Sequence, residues 1–217
     1  MHLIKKRRKK SNINIIILLV ILIIISVIYL LNLFSNKALP QFLEYSEIET
    51  KKIVTSVIND TVVEKTYKNQ DINNLFVIDY DKEGDIENID FDSKYVNQIL
   101  VDVYDELEKN LYYLESGQVD KLKLYNLSNN KKLKYGIIYE LPSGIIFNNV
   151  ILNNILPKIP VKIHFVGNIF CRLSTDIKQY GINNALITVN VVVEVEVKIL
   201  LPFISDNVKI EESIPIL

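Results

Sequence analysis

Cysteine is nearly missing from this sequence, since Cys171 is the only one among 217 residues. No disulfide can therefore form within the chain. Cys171 alternates with Ile169 and Leu173 in an extended pattern, which favours a small buried apolar side chain over a nucleophile. Tryptophan is also absent, while lysine, asparagine and isoleucine are abundant. That bias is typical of an AT-rich bacterial genome.

Acidic residues are missing from the first 43 positions. Six consecutive basic residues, Lys5 to Lys10, stand there instead. All 26 acidic residues and 19 of the 25 basic ones follow Ser35, so this larger part has a formal net charge of −7. An acidic domain argues against nucleic acid as a ligand. The basic tail is suited to an anionic lipid surface.

The stretch from Ile13 to Phe34 is apolar except for Asn14, Ser26 and Asn32. At about 1.5 Å per residue, a helix of this length measures roughly 33 Å and can cross a bilayer core. A cleaved signal peptide would have a shorter apolar region and small residues at its cleavage site. We therefore predict an uncleaved transmembrane anchor.

The charges on either side of the apolar run predict its orientation. The basic tail precedes it, whereas glutamates follow it from Glu44 onward, so the N-terminus is expected in the cytoplasm. The predicted organisation is a basic cytoplasmic tail (1–12), a transmembrane helix (13–34) and an extracytoplasmic α+β domain (35–217). The predicted location is the cell membrane, crossed once.

Two amphipathic helices are predicted after the anchor. Pro40 is suited to the first turn of a helix that ends near Tyr67. Asp92 or Ser93 can cap a second helix, and Gly117 is a natural stop for it. The apolar face of the second helix is regular, with Val96, Ile99, Leu100, Val103, Leu107, Leu111 and Leu114.

A short β-hairpin is predicted between these helices. Leu75 to Tyr80 and Ile86 to Phe91 have strand character, and Gly84 between them is available for a positive φ. Asp79 to Asp90 also matches much of a calcium-loop template. The template needs a terminal glutamate and a helix on each side, whereas Asp90 ends this loop and β-type sequence flanks it. A hairpin without bound metal is the prediction.

Strand patterns dominate after Tyr135. The pattern predicts strands at Tyr135 to Leu141, Ile159 to Val166 and Val208 to Ile216. Val119 to Lys134 and Phe147 to Leu156 are expected to be links. The strongest pattern is Ile187 to Leu201, in which every odd position is apolar and most even ones are polar. The fold class expected is α+β: one N-terminal transmembrane helix, then two amphipathic helices packed on a mainly antiparallel twisted β-sheet.

No group of side chains in the sequence predicts catalysis. His164 shares a strand face with Lys162 and reads as a surface histidine, since no other ligand stands at metal-binding spacing. The scattered carboxylates are poor candidates for the acid and base of a cell-wall hydrolase. No catalytic, cofactor-binding or metal-binding residue is therefore predicted, and no cofactor.

The second half of the chain resembles the YunB family of sporulation proteins of endospore-forming Firmicutes. The matching pieces are Leu141-Pro142-Ser143-Gly144, Pro157-Lys158-Ile159-Pro160-Val161-Lys162-Ile163, Val166-Gly167, Gly181-Ile182-Asn183 and Pro202-Phe203. The resemblance implies a membrane protein made during sporulation, without an established enzymatic activity. The chain departs from the family pattern at Asn184 and Ala185, where the family typically has Gln-Thr with a histidine nearby.

Two functions from different classes follow. The first is a membrane-anchored, non-catalytic protein that aids assembly of the spore envelope with protein partners. The second is a module that binds lipid or another hydrophobic ligand, because a long apolar β-face with two helices as a cover can enclose a groove. Both functions produce the same sequence pattern.

Overall fold

The computed structural model describes residues 13–67, 72–122, 136–144, 151, 155–180 and 184–216. The predicted links at Val119 to Lys134 and Phe147 to Leu156, and the Gly181-Ile182-Asn183 motif, lie largely outside these ranges. The chain divides into two compact units, Met1–Phe42 and Leu43–Leu217.

Helix α1 (Ile13–Leu33) forms most of the described part of the first unit. Its side chains from Ile15 to Leu33 are exposed, although nearly all of them are apolar. This is the one helical stretch in the described ranges that is long and apolar enough to cross a membrane. The predicted N-terminal apolar helix is confirmed.

A π-helical turn (Phe34–Ala38) leads from α1 into α2 (Leu39–Tyr67). The N–H of Leu39 bonds to the carbonyl of Phe34, the longer spacing of a π turn. Pro40 comes next and has no N–H, so the change of hydrogen-bond pattern falls where the α-helical pattern would lack a donor. The predicted first amphipathic helix is therefore not a separate element, because it continues the apolar one. That part of the fold prediction is corrected.

The buried side of α2 is only weakly apolar. Its buried residues within the second unit alternate between hydroxyl and aliphatic side chains. They are Ser46, Thr50, Val54, Val57, Ile58, Thr61, Val62 and Thr66. The hydroxyls of Thr61 and Thr66 bond to carbonyls one turn earlier, at 2.7 Å each, so they are buried without losing a partner. Such a mixed face explains why α2 is not strongly amphipathic.

Helix α3 (Ser93–Glu115) matches the prediction made for the second helix. The Asp92 side chain caps it by accepting hydrogen bonds from the backbone N–H groups of Lys94 and Tyr95. Its inner face is buried at Ile99, Val103, Leu107, Leu111 and Leu114.

The main sheet has five strands, and every pairing in it is antiparallel. They are β3 (Tyr139–Pro142), β4 (Lys158–Phe165), β5 (Phe170–Tyr180), β6 (Asn184–Leu201) and β7 (Ile204–Pro215). The predicted antiparallel sheet is confirmed. The predicted return strand is β7, which begins at Ile204 instead of Val208.

Strand β6 is the centre of this sheet. β7 pairs with its residues 190–201 along one edge. β4 and β5 share the other edge, with β4 opposite residues 197–200 and β5 opposite residues 184–194. The N–H of Val166 bonds to the carbonyl of Glu196 and bridges the gap between β4 and β5. The two strands thus act as one bent strand along β6.

The two faces of β6 differ as the sequence predicts. The odd-numbered residues from Val189 to Leu201 are buried, and we call this side the apolar face. The even-numbered side, the polar face, carries ion pairs that cross between strands: Arg172 with Glu211 at 2.8 Å and Lys209 with Glu194 at 2.6 Å. Several charged groups on this face are therefore neutralised within the sheet.

Candidate functional site

A separate two-stranded hairpin presents the clearest candidate for an interaction surface. It consists of β1 (Phe76–Tyr80) and β2 (Ile86–Phe91), which pair with each other and with no other described strand. The strand boundaries agree with the predicted hairpin to within one residue. An isolated pair of strands is only marginally stable in water. The side chains that this hairpin exposes are therefore evidence about its function.

One face of the hairpin is apolar. The register places Phe76 opposite Phe91 and Ile78 opposite Ile89, and side chains in alternate positions share a face. The rings of Phe76 and Phe91 lie 5.1 Å apart at the base. Toward the tip, Tyr80 and Ile86 pair and are each more than half exposed. This face, with Ile78, Tyr80, Ile86 and Ile89, is here called the hairpin face.

The tip of the hairpin holds the predicted calcium-like loop. Asp81, Glu83 and Asp85 bring carboxylate oxygens within 4.8 Å of one another, and all three residues are exposed. One oxygen of Asp81 already accepts the backbone N–H groups of Glu83 and Asp85, at 2.8 and 2.9 Å. These bonds stabilise a turn, in which Gly84 adopts the expected positive φ of 89°. Asp79 and Asp90 lie in the strands instead. The absence of physiological metal binding stays a prediction.

The hairpin is strongly acidic around its apolar face. Residues 76–91 contain six carboxylates and a single lysine, for a formal charge of −5. An apolar patch with an acidic border favours a partner that presents apolar side chains flanked by lysine or arginine. The alternating strand pattern indicated this face, but the register was needed to show which residues share it.

A second concave region lies between α2 and α3. This groove has a volume of about 650 Å³ and is lined largely by polar side chains. Glu106 pairs with Lys65 at 3.1 Å and with Lys109 at 3.4 Å. Burial raises the pKa of the Glu106 carboxyl, but hydrogen bonding and the charges of the two lysines outweigh it, so the pKa lies below its usual value. The pairs therefore stabilise the fold at neutral pH, and this contribution is lost as the pH falls through the lowered pKa.

The groove between the helices does not suit an acyl chain, because its lining is charged. Asn110 donates to the Thr61 hydroxyl at 2.9 Å, and the Lys121 amine lies 5.0 Å from the centre of the Tyr113 ring. The sequence does not indicate the pairs that join α2 to α3, because Thr61 with Asn110 and Lys65 with Glu106 are more than 40 positions apart and meet only when the helices pack.

The apolar face of the sheet is packed. The β6 side chains Val189, Val191, Val193, Val197 and Ile199 are fully buried. The one described gap between α2 and the sheet, near Ile138 and Ile163, has no room for a water molecule. Over β6, in the described part of the chain, this face is filled by protein, which favours a core over a lipid-binding groove there.

His164 and Cys171 occupy different surroundings. The exposed His164 ring contacts the Glu115 carboxylate, with Nδ1 and Oε1 2.5 Å apart. Cys171 is half-buried instead of fully buried, and burial raises the pKa of its thiol to about 11. A thiol with this pKa is protonated at neutral pH and is a poor nucleophile.

Comparisons with known proteins connect the sheet to a family. Residues 138–217, which include β3 to β7, match the family model described as Sporulation protein YunB. The chain is also 30% identical over 177 residues to a Bacillus subtilis (strain 168) protein named "Sporulation protein YunB". The chain belongs to the YunB family of sporulation proteins. The matched region is 82% of this chain and 66% of that relative's own length.

The family assignment confirms the resemblance seen in the sequence. The YunB model spans β4, whose Lys158 to Ile163 lie in the most specific of the matching runs. No solved structure matches the chain. The YunB family name describes a sporulation protein. This member of the family has an N-terminal apolar helix long enough to anchor it in a membrane.

Proposed function

We propose that this YunB-family chain is a membrane-anchored, non-catalytic protein that helps to assemble the spore envelope. Residues 1–12 form a cytoplasmic tail, residues 13–34 cross the membrane, and residues 35–217 form an extracytoplasmic domain. The similarity to a sporulation protein of Bacillus subtilis carries the link to sporulation. The exposed hairpin face supports a role in assembly, because surfaces of this kind mark protein interaction sites.

Several contacts support a domain in which α2 covers the sheet. The Tyr139 hydroxyl of β3 donates to the Ser46 carbonyl of α2 at 2.8 Å, and Thr50 bonds the same hydroxyl at 2.9 Å. Thr55 of α2 donates to Glu212 of β7 at 2.6 Å. These side chains cross from the helix to opposite ends of the strand order. These contacts stabilise the domain from which the hairpin extends.

A non-catalytic role is supported by the ion pairs and hydrogen bonds that several of the described carboxylates already form. Glu106, Glu194 and Glu211 each have a cationic partner within 3.4 Å, and Asp81 stabilises a turn. A general acid or base needs a shifted pKa and access to a substrate in a cleft. In the one large polar groove of the described chain, Glu106 is held ionised, which suits a structural ion pair.

The proposed partner is a protein whose apolar contact residues are flanked by basic ones. Replacing one exposed isoleucine of the hairpin, Ile86→Ser, should lower the yield of heat-resistant spores while the protein level in membranes stays the same. The matched control is Ile48→Ser on α2, since Ile86 and Ile48 are 58% and 57% exposed. Equal spore yields from the two variants would show that the hairpin face is not the partner-binding surface. Normal sporulation without the gene would remove the function itself.

The proposed topology predicts which sites an impermeant thiol reagent can reach. In the full chain carrying Cys171→Ala, Ser205→Cys should be labelled in intact spheroplasts, because Ser205 is exposed at the start of β7. Ser11→Cys in the basic tail should be labelled only after lysis. Labelling with the opposite pattern would reverse the orientation, and labelling of both sites before lysis would show leaky cells.

A further inference from the structure

Strand β5 has a long free edge. Its residues Phe170 to Tyr180 pair with β6 on one side, and no described strand pairs with the other side. An unpaired edge presents a row of backbone donors and acceptors that can template another strand. Natural proteins usually shorten such edges or interrupt them with proline. β5 has 11 residues and contains neither proline nor glycine, so its edge is suited to pairing.

An apolar groove lies beside one end of this edge. It has a volume of about 360 Å³ and lies between α3 and the start of β5. Its lining is mostly apolar, with Leu100, Val101, Tyr104 and Cys171, and also includes Asn97 and Asp105. At the other end of β5, Ile177 is 65% exposed. Cys171 and Ile177 are both odd-numbered residues of one strand, so they point to the same side of the sheet. The groove and the exposed isoleucine thus lie on one side at opposite ends of the edge.

We propose that two copies of this chain pair through β5, antiparallel and edge to edge, with Ser174 of one copy opposite Ser174 of the other. In this register Arg172 lies opposite Asp176 of the second copy, and the two-fold symmetry repeats the pair. Cys171 lies opposite Ile177 of the second copy. The exposed isoleucine of each copy is then placed next to the apolar groove of the other.

Charge selects this register over its neighbours. Moving the centre of symmetry from Ser174 to Thr175 would put Arg172 opposite Lys178 of the second copy, and like charges directly opposite destabilise a strand pair. Moving it to Leu173 would leave Arg172 opposite the neutral Ser174. Only the register centred on Ser174 joins a cation to an anion among these choices. The faces of the two β5 strands also match, because even-numbered residues stand opposite even-numbered ones and odd-numbered residues opposite odd-numbered ones.

The groups used by this contact also have partners within their own copy. Arg172 bonds to Glu211 at 2.8 Å, and Asp176 accepts from the Asn190 amide at 3.2 Å. A guanidinium has five N–H donors and a carboxylate accepts several hydrogen bonds. Both side chains therefore retain capacity for the second copy. A second copy is the occupant because the complementary charges and the exposed isoleucine placed beside the groove all come from the same strand.

Disulfide cross-linking of the full chain in its membrane tests the register. Directly opposite residues of an antiparallel pair have Cα atoms about 4.5 or 5.5 Å apart, within the range of a disulfide. In a chain with Cys171→Ala, Ser174→Cys should therefore form a linked dimer on mild oxidation. The matched control is Ser213→Cys, an exposed serine on β7, the opposite edge strand, which is two strands away from β5. Absence of a linked dimer at position 174, or equal linking at position 213, would overturn the proposal.

Charge reversal provides a second test that does not depend on a disulfide. Arg172→Asp should raise the dimer dissociation constant in detergent by roughly ten-fold, because two like-charge pairs replace two ion pairs. Adding Asp176→Arg should restore the affinity, although Arg172 would still be missing from its bond to Glu211. If the single variant dimerised normally, or if the second change failed to rescue it, the proposed pairing would be wrong.

Discussion

Replacing Val195 with aspartate is expected to unfold the second unit or to reduce its yield sharply. Val195 is 2% exposed on the apolar face of β6, with Val193 and Val197 on either side along that face. An unpaired carboxylate there costs several kcal/mol, or is forced to become neutral. A domain of this size has only about 5–15 kcal/mol of total stability. Loss of the tyrosine near-ultraviolet dichroism of the purified full chain would report the unfolding, since tryptophan is absent.

The neighbouring substitution Glu194→Lys is the control for the facing of β6. Glu194 points to the polar face and pairs with Lys209 at 2.6 Å. That hydrogen bond raises the pKa of Lys209. A lysine at position 194 would lose the bond, but it would stand opposite Glu211 in the register. The expected change in stability is small, as for other exposed ion pairs. A harmless Val195→Asp together with an unfolding Glu194→Lys would invert the assignment of the two faces.

The sheet could be predicted well because its physical signal is local. Strand side chains alternate, so the period of two in β6 is enough to identify its buried face. The same reasoning succeeded for α3, where one apolar stripe, the Asp92 cap and the Gly117 stop agree. In each case the residues that decide the structure lie within one element.

The prediction was wrong where two signals compete, and it made no statement about contacts between distant elements. Pro40 indicates a helix start, yet the helix continues through it. The π turn before Pro40 changes the hydrogen-bond spacing where proline lacks an N–H donor. The groove between α2 and α3 depends on Lys65 meeting Glu106, 41 positions later. The hairpin face depends on register, which the turn fixes and the composition does not. Packing and register are properties of the folded chain, so a single sequence contains them only indirectly.

The hairpin and the β5 edge have separate roles in the proposals. The hairpin face has an acidic border and is suited to a basic partner of different sequence. The β5 edge is self-complementary through Arg172 and Asp176 and is suited to a second copy. A variant that loses one contact should keep the other, so Ile86→Ser should still cross-link through Ser174→Cys.

The turn at the end of α3 should be the least tolerant glycine position in the described chain. The Gly117 N–H bonds to the Leu114 carbonyl at 3.0 Å, and the Gln118 N–H bonds to the Tyr113 carbonyl at 2.8 Å, which is the Schellman pattern. Gly117 has a φ of 71°, a left-handed conformation that suits glycine. The backbone before β3 also passes close by at Gly136. A Cβ atom on residue 117 would lie 2.8 Å from the Gly136 nitrogen and 3.0 Å from its Cα.

Gly117→Ala should therefore destabilise the second unit by roughly 2–4 kcal/mol, because backbone strain and overpacking both contribute. Gly84→Ala is the matched control. Gly84 has a φ of 89°, but nothing lies within 4 Å of the added Cβ, so only the strain applies. Its expected cost is about 1–2 kcal/mol. Thermal unfolding of the full chain in detergent, followed by circular dichroism, should give a larger drop in Tm for Gly117→Ala. Equal drops would mean that the approach of Gly136 to the end of α3 contributes nothing, and that the conformation of the turn alone requires glycine there.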